Sequence, residues 1–133
     1  VVDVIVEQKK QADQAAVIEF DSKMTSLETG LLYDPKAGAL TKKSKDALAV
    51  YQPTKDQYDK EVAETMRGLS SSVQRNEAAR LAATRWNSMD RSLQSHMATQ
   101  AKAYQLEIGM AKVNSSTQAA VAAKGDLEKD ALG

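Results

Sequence analysis

From Val6 to Leu31 the residues Val6, Val17, Phe20, Met24, Leu27 and Leu31 fall on steps built from threes and fours that also pass through Lys10 and Asp13. Side chains so spaced share one face of an α-helix, and an apolar stripe of that kind has to be covered by another helix. With polar residues in its early turns, the stripe has the character of a coiled coil. Thirty-odd residues at about 1.5 Å each make a rod of roughly 48 Å.

The same periodicity governs the rest of the chain. Only two Pro and six Gly interrupt its 133 residues, and no stretch alternates apolar and polar residues long enough to make a sheet. The chain therefore reads as all-α, an antiparallel up-and-down bundle of three to four helices. The first helix should stop near Leu32, where Tyr33-Asp34-Pro35 ends it and Gly38 loosens the residues beyond. Thr41 then caps a short helix over 41–51 that carries Ala47, Leu48 and Tyr51. Pro53 lacks an amide hydrogen and crowds the preceding turn, so a kink or break is expected there. Directly after it, Thr54-Lys55-Asp56-Gln57 has the form of a capping box, starting a helix over 54–69 with Tyr58, Val62, Met66 and Leu69 inward.

Gly68 and Ser70-Ser71-Ser72 are the next punctuation, and Asn76 can cap the longest periodic segment. Its stripe of Ala82, Trp86, Met89 and Leu93 continues through Met97, Ala101, Tyr104, Ile108 and Ala111. Two successive steps of four, from Leu93 to Met97 to Ala101, unwind a supercoil locally and leave His96 beside the seam. Asn114 to Gln118 is either a turn, with Ser115 and Gln118 as another capping box, or a polar patch on one uninterrupted helix from 76 to about 131.

Charge is balanced overall and segregated locally. Lys+Arg and Asp+Glu each number 18, so no net field draws the chain to nucleic acid or to an anionic membrane. Residues 1–35 hold three Lys against seven acids, whereas residues 65–106 hold six basic side chains against two acidic ones. Neighbouring helices of opposite sign can match across their polar flanks, which sets register more than it adds stability. The absence of Cys excludes disulfides and thiolate chemistry. No run of eighteen apolar residues and no signal peptide is present. Both ends fall within helix-like text, so the chain is expected to be a fragment of a longer membrane protein that is itself water-borne.

No phosphate-cradling Gly-rich loop, H-E-x-x-H, E-x-x-H, EF-hand loop or nucleophile elbow occurs. The chain is expected not to be an enzyme and to need neither cofactor nor metal. Asp56, Asp59, Glu61 and Glu64 are spread around one helix and read as a solvated face. The five arginines are more informative: Arg67, Arg75, Arg80, Arg85 and Arg91 are clustered in one zone, and every other basic side chain is Lys. The planar guanidinium grips a carboxylate with two parallel bonds where an ammonium offers a point charge. Arg80, Arg85 and the lone Trp86 are thus the candidate ligand-binding residues, for a small carboxylate. The bland alternative has these arginines pairing with the acidic first segment, with Trp86 and Tyr51, Tyr58 and Tyr104 at the edge of the core.

Two stretches, ALAVYQPTKDQYDKEVAETMRG at residues 47–68 and NEAARLAATRWNSMDRSLQSHMATQAKAYQ at residues 76–105, resemble the later half of the four-helix-bundle sensor domains of bacterial chemotaxis receptors. The resemblance implies an extracytoplasmic module, periplasmic or extracellular, of an inner-membrane receptor. It further implies a homodimer, a small ligand near the dimer interface, and a signal passed by displacement of the terminal helices. In that family interface arginines clamp a ligand carboxylate, a role that falls here on Arg80 and Arg85; the first segment departs from the pattern by carrying no arginine.

The chain thus admits two readings. In the sensor reading, Arg80 and Arg85 face a concavity between helices. In the rival, a structural or secretion-associated coiled-coil protein that mediates assembly without a small ligand, they point at acids of the first helix or of a partner. Chain ends at one pole fit a membrane-tethered receptor, and ends at opposite poles fit a rod.

Overall fold

The computed structural model of the protein describes the backbone of residues 1–132 and the side chains of residues 1–118. Helix α1 spans Val2–Tyr33, a 3-10 turn Ala39–Thr41, α2 Ser44–Ala47, α3 Tyr51–Met66 and α4 Ser72–Leu132. The fold is the expected all-α, up-and-down bundle, built on the three long helices, with no strand among the described residues.

The direction of each helix follows from its partners. Asp13 meets Gln74, Phe20 and Met24 pack with Ala78 and Ala82, and Leu32 packs with Met89 and Leu93. The numbers rise together, so α1 and α4 run parallel. Helix α3 descends between them: Tyr51 reaches Asp90, Tyr58 reaches Ala82, and Met66 joins the layer of Ala78. Half-buried Leu27 and Val62 touch both layers and join them into one interior. Phe20, Met24, Leu32, Met89 and Leu93 are its largest fully buried side chains, each worth about 1.5–3 kcal/mol for leaving water.

The core stops well short of both helix ends. Opposite Asp13 the fourth helix begins, so the earlier turns of α1 have no neighbour, and Val2, Ile5 and Val6 are exposed. The stripe of α4 is buried or half-buried as far as Tyr104 and emerges into solvent at Ile108. Because α1 and α4 are parallel, these bare segments lie at opposite poles.

The link between α1 and α3 differs from the expected helix over 41–51. The Asp34 carboxylate accepts from the amides of Lys36 and Ala37, both at 2.9 Å, which turns the chain sharply after α1. Thr41 does not cap a helix; its hydroxyl donates to the Gly38 carbonyl at 2.6 Å and closes the 3-10 turn. Residue Ser44 has φ 54°, a left-handed conformation that breaks the helix text in two. The strained residue is held from outside, its amide donating to Gln100 Oε1 at 2.7 Å and its hydroxyl to Glu107. His96 bonds the Lys42 carbonyl at 2.7 Å through Nε2, so the segment is strapped to α4 along its length.

Three further expectations are corrected. Pro53 breaks nothing: it lies in the first turn of α3, where an amide hydrogen has no intrahelical partner to lose. Thr54 is accordingly inside the helix, buried, with its hydroxyl donating to the Val50 carbonyl at 2.6 Å and not boxed with Gln57. Helix α4 starts ahead of Asn76, because the Ser71 hydroxyl accepts from the Gln74 amide at 3.1 Å and caps it. Of the two alternatives for residues 114–118 the uninterrupted helix holds, and the Ser115–Gln118 box has no helix start to cap.

Candidate functional site

Where α4 begins beside α1, an open groove of about 1170 Å3 lies between the two helices. Val6, Val17, Ile18 and Val73 form its apolar floor. Its rim carries Lys9, Lys10, Asp13, Glu77 and Arg80. Ile18 and Val73 are 70% and 58% exposed, far more than the bundle interior tolerates.

Helix capping places this rim. Ser71 ends the link from α3 and donates its hydroxyl to Asp13 Oδ1 at 3.1 Å, and buried Gln74 donates to the same oxygen at 2.8 Å. Gln74 also turns its amide oxygen back to the Ser70 amide at 3.1 Å, a capping box displaced by one residue. Three polar side chains thus pin the start of α4 to α1. On the opposite wall Arg80 is paired with Glu77 on its own helix, and that contact lowers the Glu77 carboxyl below its ordinary value. Both rim carboxylates are therefore engaged within the molecule, while Lys9 and Lys10 form no ion pair among the described residues.

Arg85 stands one and a half turns further along α4, on a different surface. Its Nη1 donates to Glu28 Oε2 at 2.6 Å and its Nη2 to Asp21 Oδ1 at 2.8 Å, bracing two turns of α1. Burial opposes its charge, but the two carboxylates outweigh that and raise its pKa. Its Nε is buried without a partner.

Trp86 is half-buried in an aromatic group. Its ring lies 5.9 Å from that of Tyr51, edge-on, and 5.2 Å from that of Tyr58, with Lys55 Nζ 5.4 Å above it. Tyr58 donates to the Ala82 carbonyl at 2.6 Å inside the bundle, and burial pushes its phenol up to about 12. Tyr51 donates to Asp90 at 2.5 Å, and that bond chiefly raises its pKa.

The three residues singled out from sequence do not converge. Arg80 borders the groove, Arg85 bridges α1 and α4, and Trp86 packs on α3. Val6 and Val17 of the groove's floor lie on the α1 stripe, whereas Ile18 and Val73 were missed because they lie off the stripes. The signal that locates them is Ser71-Ser72-Val73-Gln74, a capping pattern as good as the one at Thr54. Among the described residues no cluster of three or more His, Cys, Asp or Glu is placed to hold a metal, and no helix is long and apolar enough to cross a membrane.

No protein-family model matches the chain, and neither a curated protein nor a solved structure does. The all-α bundle is a fold common to many helical-bundle domains and is not specific to chemoreceptor sensors.

Proposed function

We propose that the protein is a helical assembly module, a bundle that holds bare helical faces at its two poles for other helices to pack on. The observation that carries this reading is the exposure of large apolar side chains where a single helix runs past the bundle. At one pole these are Val2, Ile5 and Val6, and at the other Leu106, Met110 and Val113. The latter three recur at steps of four and three, the spacing of a coiled-coil seam. Exposed contiguous apolar surface of this kind marks interaction sites. The engagement of Arg85 with acids of α1 and the separation of the helix ends also favour an assembly rod.

Sedimentation velocity tests it. The chain should associate as concentration rises, and Leu106→Asp with Met110→Asp, or Ile5→Asp with Val6→Asp, should each weaken association. A chain that stays monomeric, and that no helical partner retains, removes the reading.

One observation favours the sensor alternative: Arg80 borders a concavity between α1 and α4, where a small carboxylate would displace Glu77. In that reading the module is the extracytoplasmic part of a membrane receptor. Thermal-shift screening against small carboxylates checks it, with Arg80→Ala as the control. A stabilisation that survives in Arg80→Ala would place the ligand elsewhere.

A further inference from the structure

The groove between α1 and the start of α4 presents its apolar wall, with Ile18 and Val73, to solvent. The means of covering it is written in α1 itself. Residues equidistant from the midpoint between Gln11 and Ala12 form complementary pairs on one face of α1: Val6 with Val17, and Lys10 with Asp13. Two helices packed antiparallel about a two-fold axis bring equidistant residues of this kind face to face. We infer that the groove is filled by α1 of a second copy, running antiparallel, so that each copy's first turns occupy the other's groove. The inference rests on the assembly reading and names the partner for one of its two poles.

Three features support a second copy over a foreign helix. Val6 at 60% exposure and Ile18 at 70% are left bare by the fold, and both line the groove that the partner's helix would enter. The charges are self-complementary as well. Asp13 Oδ1 holds Ser71 and Gln74, which leaves Oδ2 to accept from the partner's Lys10, and the two-fold repeats that pair. Further along, the partner's Asp3 comes level with Phe20, in the layer beside which Arg80 stands on α4. A foreign helix would need the same order of charges in reverse; this chain already carries it.

The pairing also accounts for the polar break in the α1 stripe. Lys10 occupies a seam position ahead of the bundle and pairs with no acid in it among the described residues, whereas Asp13 already holds Ser71 and Gln74. In an antiparallel pair they become a registry device: a parallel arrangement, or a slip of one turn, sets Lys10 against Lys10 or leaves Asp13 beside an apolar residue.

The test uses the full chain and exploits its lack of cysteine. A mixture of Val6→Cys and Val17→Cys chains should form a disulfide between the two variants on mild oxidation, whereas each variant alone should cross-link poorly. Charge reversal gives an independent arm. Lys10→Glu and Asp13→Lys chains should each associate more weakly than the parent chain, and mixing them should restore the α1 pairing, because every facing pair is then of opposite sign. Ile18→Asp, on an exposed site, should keep its helical circular dichroism and raise the dissociation constant ~tenfold or more.

Preferential cross-linking of Val6→Cys to itself would mean a parallel pair and overturn the proposal. So would a mixture of folded charge-reversed chains that stays monomeric. Association that persists in Ile18→Asp and disappears with Leu106→Asp and Met110→Asp would sink the α1 pairing while leaving the assembly reading standing. Absence of any association, with helical partners or alone, would sink both.

Discussion

Arg85 Nη1 donates to Glu28 Oε2 across 2.6 Å, from a guanidinium only 19% exposed to a carboxylate 24% exposed. The second terminal nitrogen holds Asp21, which is 47% exposed. This pair of bonds helps to fix the register of two parallel helices where their facing core is Phe20 and Met24 against small alanines. A lysine offers a single nitrogen in place of the two terminal nitrogens of this planar fork, and so holds the two acids less firmly.

Removal of that bridge should therefore be costly even though part of it faces water. Arg85→Ala should lower stability by about 2 kcal/mol, discounted for the half-exposed Asp21, and Arg85→Lys by about 1 kcal/mol. Urea unfolding followed by circular dichroism measures both. Equal and negligible losses would mean that the bridge contributes nothing.

Tyr58 makes its hydrogen bond inside the bundle, so Tyr58→Phe should cost about 1 kcal/mol. Its phenol is raised from 10.0 to about 12, which means that the folded state retains a proton the unfolded chain gives up. The stability from this group is whole below pH 10 and declines as pH climbs toward about 12. Denaturation curves between those limits should fall less steeply for Tyr58→Phe than for the parent chain.

The turn after α1 depends on an acid. The Ala37 and Lys36 amides hold the Asp34 carboxyl below its ordinary value of 3.8. Since its folded pKa is depressed, its contribution is present above that value and is lost as pH falls through the folded pKa. The amide resonances of Lys36 and Ala37 should move together as the carboxyl protonates, and they should be pH-independent in Asp34→Asn.

Gly38 is fixed by proximity and not by handedness. A Cβ there would sit 2.6 Å from the backbone atoms of Asp34 and from the Leu32 carbonyl oxygen. Gly38→Ala should cost about 2 kcal/mol, because backbone and not a flexible side chain has to yield. A neutral outcome in thermal denaturation would show that the turn has room to open.

Pro53 supplies a contrast. Placed in the first turn of α3, it removes no helical hydrogen bond, so Pro53→Ala should change stability by no more than about 0.5 to 1 kcal/mol, through the unfolded chain. A loss of several kcal/mol would mean that the proline ring packs in a way the helix geometry does not require.

Much of the architecture was legible because burial and spacing agree: Phe20, Met24, Met89 and Leu93 lie on their stripes and are all fully buried. The misleading parts were local patterns whose outcome depends on distant partners. Ser44 adopts a left-handed backbone because Gln100 and Glu107 hold it, and neither contact leaves a trace near residue 44. Thr54 and Gln57 have the right types for a capping box, yet the helix begins a turn earlier, at Tyr51. Of the proposed binding residues, Arg80 reached a concavity, while Arg85 found the acids that its helix's opposite charge made available. The groove was hidden because its floor is defined by where a neighbouring helix starts, a fact of tertiary structure and not of periodicity.

Helix α4 carries on without interruption for 61 residues, roughly 90 Å, and among the described residues its core contacts with α1 and α3 lie in its first half. It is in effect a lever with its fulcrum inside the bundle. A tilt of about 5° about Met89 would sweep the far end through about 6 Å, so a small rearrangement around Asp13 would be felt as a larger excursion at the opposite pole.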